Sequence, residues 1–556
     1  MIIEQATHVP RQVLDEALSL GYTARTGLIM IQPPGRLLKL VWAYQRYGLI
    51  GATVVLAGER YGDRPAIIDE RGTLSYRGLD RNSNALAGAW RARGLGPGEG
   101  VAIMARNHRG LLEALFAAAK CGARIILMNT DFSGPQLQEV GRREGADLYV
   151  VDEEFLPLTA GLDARRGIWR AWADTPGQDT IDSLIAATEA CAPPRPGTTA
   201  TLVLLTSGTT GTPKGAPRSE LRTLTPVGAI FSRVPFRIRG VTECAAPIFH
   251  ALGVVHAVLA VALGCTLILR RHFDAAATLE SLAKNRVSAL IVVPVMLRRM
   301  LDLGPAARES LDLSALRIIF VGGSQLGADL CVRGTDAFGP VLYNLYGSTE
   351  VAFASIATPR DLAAAPGCVG RVASGAIVRL LDDAGDPVPA GACGRIFVGN
   401  AAQFQGYTGG GTKQTIGRLM SSGDLGHFDK AGRLFIDGRA DDMIVSGGEN
   451  VFPAEVEELL VAHPAVREAA VVGVPDEQFG QRLRAFVVRR SGRQLSPDEV
   501  RQHVKANLAR YKVPRDVVFL DELPRNPTGK VLKRVLAADE PTAAGPATGA
   551  TLRVAP

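Results

Sequence analysis

The chain has 556 residues, 47% of them hydrophobic and 21% charged, with a formal net charge of +7 and a pI near 9.1. That length exceeds what one hydrophobic core usually supports, so at least two domains are expected. The positive excess suits anionic ligands, but it is thinly spread, and no basic run interleaved with aromatics marks a nucleic-acid partner.

Seven cysteines stand singly with no Cys-x-x-Cys, and eight histidines do not pair at metal-ligand spacing. Neither a disulfide framework nor a zinc site is expected. The start, Met-Ile-Ile-Glu-Gln, lacks a basic segment followed by an apolar one, so the expected location is the cytoplasm.

In chain order, residues 1–60 read as an N-terminal helical extension. Within it, Leu37, Leu38, Leu40, Val41, Trp42 and Tyr44 lie among Arg36, Lys39 and Arg46. Two readings fit residues 36–56: a helix packed on its own protein, which is favoured, and peripheral docking on the inner face of a membrane. From Tyr61 the pattern becomes regular. Arg64–Asp69 and Leu74–Tyr76 read as strands, Arg77–Arg93 as a helix, and Val101–Met104 as a buried strand. Leu111–Cys121 gives a helix of small residues and Ala123–Met128 a further strand. This alternation predicts α/β layers with a largely parallel sheet. Residues 150–200 carry less pattern.

Leu202–Gly215 is the stretch richest in chemistry. The apolar run Leu202–Leu205 reads as a buried strand that opens into Thr206, Ser207, Gly208, Thr209, Thr210 and Gly211, then Pro213-Lys214-Gly215. Glycines turn backbone N–H groups toward an anion, hydroxyls add donors, and Lys214 adds a mobile positive charge. The common NTPase loop needs Gly-Lys-Ser/Thr opening a helix. Here Pro213 precedes Lys214 and Gly215 follows it.

Further along, Pro247-Ile-Phe-His250-Ala-Leu-Gly253 reads as a strand end. Val254–Leu269 is apolar but broken by His256 and Gly264-Cys265, and it is too short for a bilayer, so a buried helix and a core strand are expected. Ile318–Val321 reads as a strand opening into Gly322-Gly323-Ser324, small residues where α/β sheets place ligands. Asn344-Leu-Tyr346-Gly347-Ser-Thr349-Glu350 offers an aromatic face for a purine and a carboxylate for a hard cation. Ser422-Gly423-Asp424, Gly438-Arg439-Ala440-Asp441-Asp442 and Pro527-Thr528-Gly529-Lys530 follow. Between them, Ser496-Pro-Asp-Glu499 reads as a capping box that starts a helix.

In this order, over about residues 60–535, the motifs resemble the adenylate-forming superfamily of acyl-CoA synthetases, luciferases and peptide-synthetase adenylation domains, most of all a bacterial fatty acyl-CoA synthetase. The fold implied is α/β: a large multi-layer N-terminal domain (61–438) with mainly parallel sheets plus a small β-barrel, a hinge (439–441), a small mobile α+β C-terminal domain (442–540) and a disordered tail (541–556). The resemblance implies ATP and CoA as co-substrates, Mg²⁺ on Glu350 and a fatty acid of medium to long chain.

The resemblance also assigns roles. Tyr346 would stack on adenine, with Asn344 and Gly347 framing its edge. Thr349 would contact the α-phosphate, and Asp424 and Arg439 the ribose. Asp441 would be the hinge, and Gly447-Gly448 would line the pantetheine tunnel. His250 would sit where acyl group and thiol meet, and Lys530 would bridge the acyl carboxylate and the α-phosphate. One departure is the segment before Asp424, where Gly417-Arg418-Leu419-Met420 replaces the usual Gly-Trp. A fatty acyl-AMP ligase that loads a carrier protein and an aryl or small-acid CoA ligase share these motifs.

Overall fold

The computed structural model describes residues 2–28, 34–175, 177–206, 213–218, 223–440, 442, 444–446, 449–476, 480–508, 510–526 and 529–538. Its contacts divide it into two compact units. One comprises Met1–Ala440 with Asn526–Lys530; the other comprises Asp441–Arg525 with Val531–Pro556.

The chain begins with helices Ile2–Arg25 and Pro34–Tyr61, the second kinked at Gly48, whose φ of 67° lies outside the helical range. Glu16 fixes the first helix to the helix Thr225–Arg233: its carboxylate accepts from the Leu224 N–H at 2.9 Å and from the Thr223 and Thr225 hydroxyls. A carboxylate there satisfies a donor that the helix start would otherwise leave orphaned. The second helix buries Ala43, Tyr47, Ala52, Val54 and Ala57. That is the packed face expected of an amphipathic helix, while Leu38, Leu40, Val41 and Trp42 stay on the outside.

In the larger unit, among the described residues, a nine-stranded sheet runs in the order Arg371–Val372, Ser355–Ala357, Leu342–Tyr346, Ile318–Val321, Ala289–Val292, Val241–Cys244, Thr266–Ile268, Pro65–Asp69, Gly72–Ser75. Its six central strands are parallel and its outer pairs antiparallel. A six-stranded sheet runs Ile168–Trp172, Ala146–Asp152, Gly100–Met104, Arg124–Leu127, Thr201–Thr206, Lys214–Arg218, parallel except for the last pair. The inner strands Gly100–Met104, Ala289–Val292 and Ile318–Val321 are apolar and buried on both faces, as helix-covered parallel sheets require.

The weakly patterned stretch 150–200 holds the strand Ile168–Trp172 at the edge of the six-stranded sheet and the helix Ile181–Ala187. The apolar stretch after His250 divides into the helix Ala251–Ala262 and the core strand Thr266–Ile268. No helix among the described residues is long and apolar enough to cross a membrane.

One buried device orders the six-stranded sheet. His108, wholly buried, caps the helix Arg109–Cys121 by accepting the Gly110 N–H on Nδ1. With Nδ1 accepting, the proton sits on Nε2, which faces Asp152 Oδ1 at 2.8 Å. The other Asp152 oxygen accepts the Arg106 N–H. Cap, carboxylate and loop are thereby satisfied together.

A third sheet, antiparallel, joins Ile377–Leu381, Gly394–Gly399, Leu419–Phe428 and Thr415–Ile416, with Leu434–Arg439 paired to Leu419–Phe428. It stands where a small barrel is expected.

In the smaller unit, Glu449–Val451, Ile444–Ser446, Gly480–Arg489 and Val466–Asp476 form an antiparallel sheet, and Asp516–Leu520 adds parallel to Gly480–Arg489. Val456 and Leu460 of helix Pro453–Ala462 and Val500 and Val504 of helix Pro497–Asn507 pack on Val471, Ala485 and Val487. The capping box forms: Ser496 Oγ accepts from the Glu499 N–H, and Glu499 Oε2 accepts from the Ser496 N–H at 2.8 Å.

Candidate active site

The phosphate-loop reading changes in form. Thr206 ends one strand and Lys214 begins the next; the two residues pair across an antiparallel ladder, and Thr206 Oγ1 donates to the Lys214 carbonyl at 3.2 Å. The strands on either side of the glycine and hydroxyl run are therefore paired as the two arms of a hairpin. Its lysine opens the second of the two strands. Ser207, Gly208, Thr209, Thr210 and Gly211 lie outside the described residues. Lys214 is exposed, with Nζ 5.4 Å from the centre of the Tyr407 ring.

The nine-stranded sheet delivers a second group at the carboxyl ends of its strands, where open α/β sheets bind ligands. Gly322, Gly323 and Ser324 follow Val321 directly, and Gly323 has a φ of 89° that suits glycine. Asn344 is buried within Leu342–Tyr346. Gly347 needs its missing side chain: a Cβ there would stand 2.1 Å from the Ala352 carbonyl oxygen.

Tyr346 ends the same strand; its hydroxyl donates to Asp424 Oδ2 at 2.6 Å, and its oxygen lies 3.0 Å from Ser422 Oγ. Burial, with Asp424 beside it, raises its pKa well above the ordinary phenol value. Asp424 lies opposite Arg439 in the antiparallel ladder, so two strands of the third sheet set both candidate ribose contacts side by side. Burial raises the Asp424 pKa, and the Tyr346 hydroxyl, Arg439, Ser422 and Lys530 act against that rise. Lys530 thus lies near enough to be felt by this carboxylate. Its own N–H is held by Asn526 Oδ1 at 2.8 Å, within the segment Asn526–Lys530 that groups with the larger unit.

Glu350 is held on both oxygens: Oε2 accepts from Ser348 Oγ at 2.9 Å and Oε1 from the Tyr407 hydroxyl at 2.7 Å. Thr349 precedes it, and its carbonyl accepts from Arg218. His250 stands at the N-cap of Ala251–Ala262. Burial pushes its pKa down to about 4, so its ring is neutral at neutral pH. Its Nε2 has no partner among the described residues, and the ring lines a small cavity with Leu127, Asn129, Leu205, Pro213 and Phe249.

The structure therefore brings Tyr346, Asp424, Arg439 and Lys530 into one neighbourhood, and joins Lys214 to Glu350 through Tyr407. Asp441, Gly447 and Gly448 lie outside the described residues.

A model of the AMP-binding enzyme family matches residues 55–408, and a model of the AMP-binding enzyme C-terminal domain matches residues 455–530. The chain belongs to the AMP-binding enzyme family. It is 31% identical over 500 residues to the fatty acid–[acyl-carrier-protein] ligase ScoC of Streptomyces coeruleorubidus, covering 85% of this chain and 92% of that one. It is 33% identical over 485 residues to the indoleacetate–CoA ligase of Aromatoleum aromaticum, covering 83% and 92%. The crystal structure of ATP-bound MatB from Rhodopseudomonas palustris matches with a TM-score of 0.79 at 27% identity, covering 88% of this chain and 98% of that one.

This AMP-binding enzyme also has braces that sequence reasoning missed. Behind the hairpin, Glu144 Oε1 accepts from Thr408 Oγ1 at 2.8 Å, the Thr408 N–H donates to the Gly215 carbonyl at 2.9 Å, and Arg143 donates to the Pro213 carbonyl. Tyr407 and Arg218 brace the Thr349–Glu350 turn. A period-2 reading of the second hairpin strand would have found Arg218. Lys214, Ala216 and Arg218 share one face, and Ala216 packs with Val351 and Ala354 just beyond Glu350.

Proposed function

We propose that this AMP-binding enzyme joins a medium- to long-chain fatty acid to CoA by way of an acyl-adenylate. The observation that supports it most is the meeting of Tyr346, Asp424, Arg439 and Lys530. An aromatic face, a carboxylate able to accept from two hydroxyls, and two cations are the complement of an adenosine monophosphate.

In the first half-reaction a carboxylate oxygen of the acid attacks the α-phosphorus of ATP, and pyrophosphate leaves. Lys530 and Thr349 stabilise charge on the α-phosphoryl oxygens, while Lys214, Thr206 and the hydroxyls of Ser207, Thr209 and Thr210 hold the departing phosphates. Among the described residues no cluster of three or more His, Cys, Asp or Glu could hold a metal. Glu350 fits Mg²⁺ as a single protein carboxylate beside the nucleotide's own phosphates, the arrangement this ion ordinarily takes. When bound, the ion supplies neutralisation of phosphate charge.

In the second half-reaction the CoA sulfur, its proton lost to solvent, attacks the acyl carbon, and AMP departs with one oxygen of the acid. A turn of the small domain about Asp441 withdraws Lys530 and brings Gly447-Gly448 to the site. Neutral His250 contributes a polar, uncharged wall.

The Leu252 and Leu345 side chains, which with the Leu345 carbonyl would face a side chain at Gly322, support an aliphatic acid. The relatives support two other readings, since one by name joins a fatty acid to a carrier protein and the other indoleacetate to CoA. The test is pyrophosphate release with saturated acids of graded length, indoleacetate and benzoate, each with CoA, with carrier protein, or with neither. We expect CoA-dependent turnover that peaks on an aliphatic acid at about tenfold or more over the aromatics. Preference for the aromatics, or turnover advanced by carrier protein and not by CoA, would replace the reading.

A further inference from the structure

Arg218 takes no part in the chemistry described above, yet its placement is unusual. The half-buried side chain ends in a guanidinium that donates to two backbone carbonyls from different loops, those of Thr349 and Ala402. Among the described residues no carboxylate lies within ion-pairing distance of it. The opposing charge that it feels is that of Glu350, and burial pushes its pKa down to about 10, so it stays charged at neutral pH. Holding a desolvated cation on neutral dipoles is costly unless the arrangement does something that an apolar residue could not.

Its targets indicate what that is. The Thr349 carbonyl and the Glu350 N–H belong to one planar peptide. Arg218 holds the oxygen, and Ser348 Oγ accepts the N–H at 3.2 Å. That peptide is gripped at both ends, which fixes the directions in which the Thr349 and Glu350 side chains leave the backbone. Its second target, Ala402, lies two residues before Phe404, whose N–H donates to the Glu350 carbonyl at 2.9 Å. The fork therefore cross-braces both sides of Glu350. Arg218 also sits four residues after Lys214 on the same strand and the same face.

We propose that Arg218 is a positioning residue that locks the Thr349–Glu350 peptide to the Lys214 hairpin, so that the groups facing the α-phosphate, the metal and the leaving phosphates keep one geometry. The fork offers two spaced nitrogens, Nη1 to the Ala402 carbonyl and Nη2 to that of Thr349, whereas a lysine has one nitrogen on a shorter side chain that would have to come within reach of both. The proposal rests on the adenylation reading above.

The test measures acid-dependent ATP–pyrophosphate exchange for the whole chain, Arg218→Lys and Arg218→Gln, over ranges of Mg·ATP and of acid, with thermal unfolding measured alongside. We expect both variants to raise the KM for Mg·ATP about tenfold or more, with the KM for the acid within about threefold. Arg218→Gln, the more disruptive change, is backed by Arg218→Lys, which retains the charge and loses the fork. An Mg·ATP KM within about twofold of the parent in the lysine variant would overturn the proposal, as would equal rises in both KM values. A parent chain that shows no acid-dependent exchange would overturn the adenylation reading and this proposal with it; normal parent exchange with unaltered variants overturns this proposal alone.

Discussion

Replacing Lys530 with alanine is expected to lower pyrophosphate release by about a hundred- to a thousandfold, the usual cost of removing one donor aimed at developing charge. Thioester formation from a supplied acyl-adenylate is expected to stay within about threefold of the parent. The asymmetry follows from position. Lys530 belongs by its contacts to the larger unit, where its charge acts on Asp424. An ammonium there faces the nucleotide half of the reaction, and attack of a thiol on a formed adenylate needs no such cation. The turn that carries it is closely fitted: a side chain at Gly529, whose φ is 76°, would place a Cβ 2.2 Å from Val295 Cγ1. Separate assays of the two half-reactions check the prediction. Equal loss of both would show that Lys530 supports the site as a whole and not adenylation alone.

Asp424→Ala is expected to raise the KM for ATP about a hundredfold, as the loss of charge-assisted hydrogen bonds to two hydroxyls implies. The carboxylate has two further ties, to the Tyr346 hydroxyl and to the charges of Arg439 and Lys530. Its removal would therefore leave a buried phenol with Ser422 alone and two cations without their shared counter-charge. Asp424→Asn, which can still accept from Tyr346, should fall between parent and alanine. Initial rates at varied ATP and fixed acid check this. An unchanged KM for ATP with a raised KM for the acid would move Asp424 out of the nucleotide site and into the acid pocket.

Much of this was legible because the informative signals are local. The alternation of short apolar runs and helices marked the parallel sheets, and the Ser496-x-x-Glu499 box marked a helix start that forms as written. The motif order carried the family. What the sequence obscured depends on contacts between distant segments. The strand Lys214–Arg218 reads as loop because Pro213 and Gly215 flank its lysine, but it is held by register with Leu202–Thr206.

Distance along the chain also hid partners. The Tyr407 hydroxyl reaches Glu350 from 57 residues away, and Thr408 reaches Glu144 from 264. Tyr346 reads as an adenine platform from its ring; that its hydroxyl is also the lock on Asp424 depends on the third sheet arriving beside it. His250 and His256 both look like lone histidines among apolar neighbours. Burial pushes each to about 4, and what separates them is place: His250 lines the cavity beside Pro213, and His256 packs against Phe320.

The central claim is that the acid is activated as an adenylate, and isotope transfer tests it most directly. A carboxylic acid labelled with oxygen-18 in both oxygens, turned over with ATP and CoA, is predicted to give AMP carrying one labelled oxygen and pyrophosphate carrying none. One oxygen of the acid bonds to the α-phosphorus and leaves with it when the thiol attacks. Label in pyrophosphate or inorganic phosphate, with unlabelled AMP, would mean attack at another phosphorus and would contradict the account.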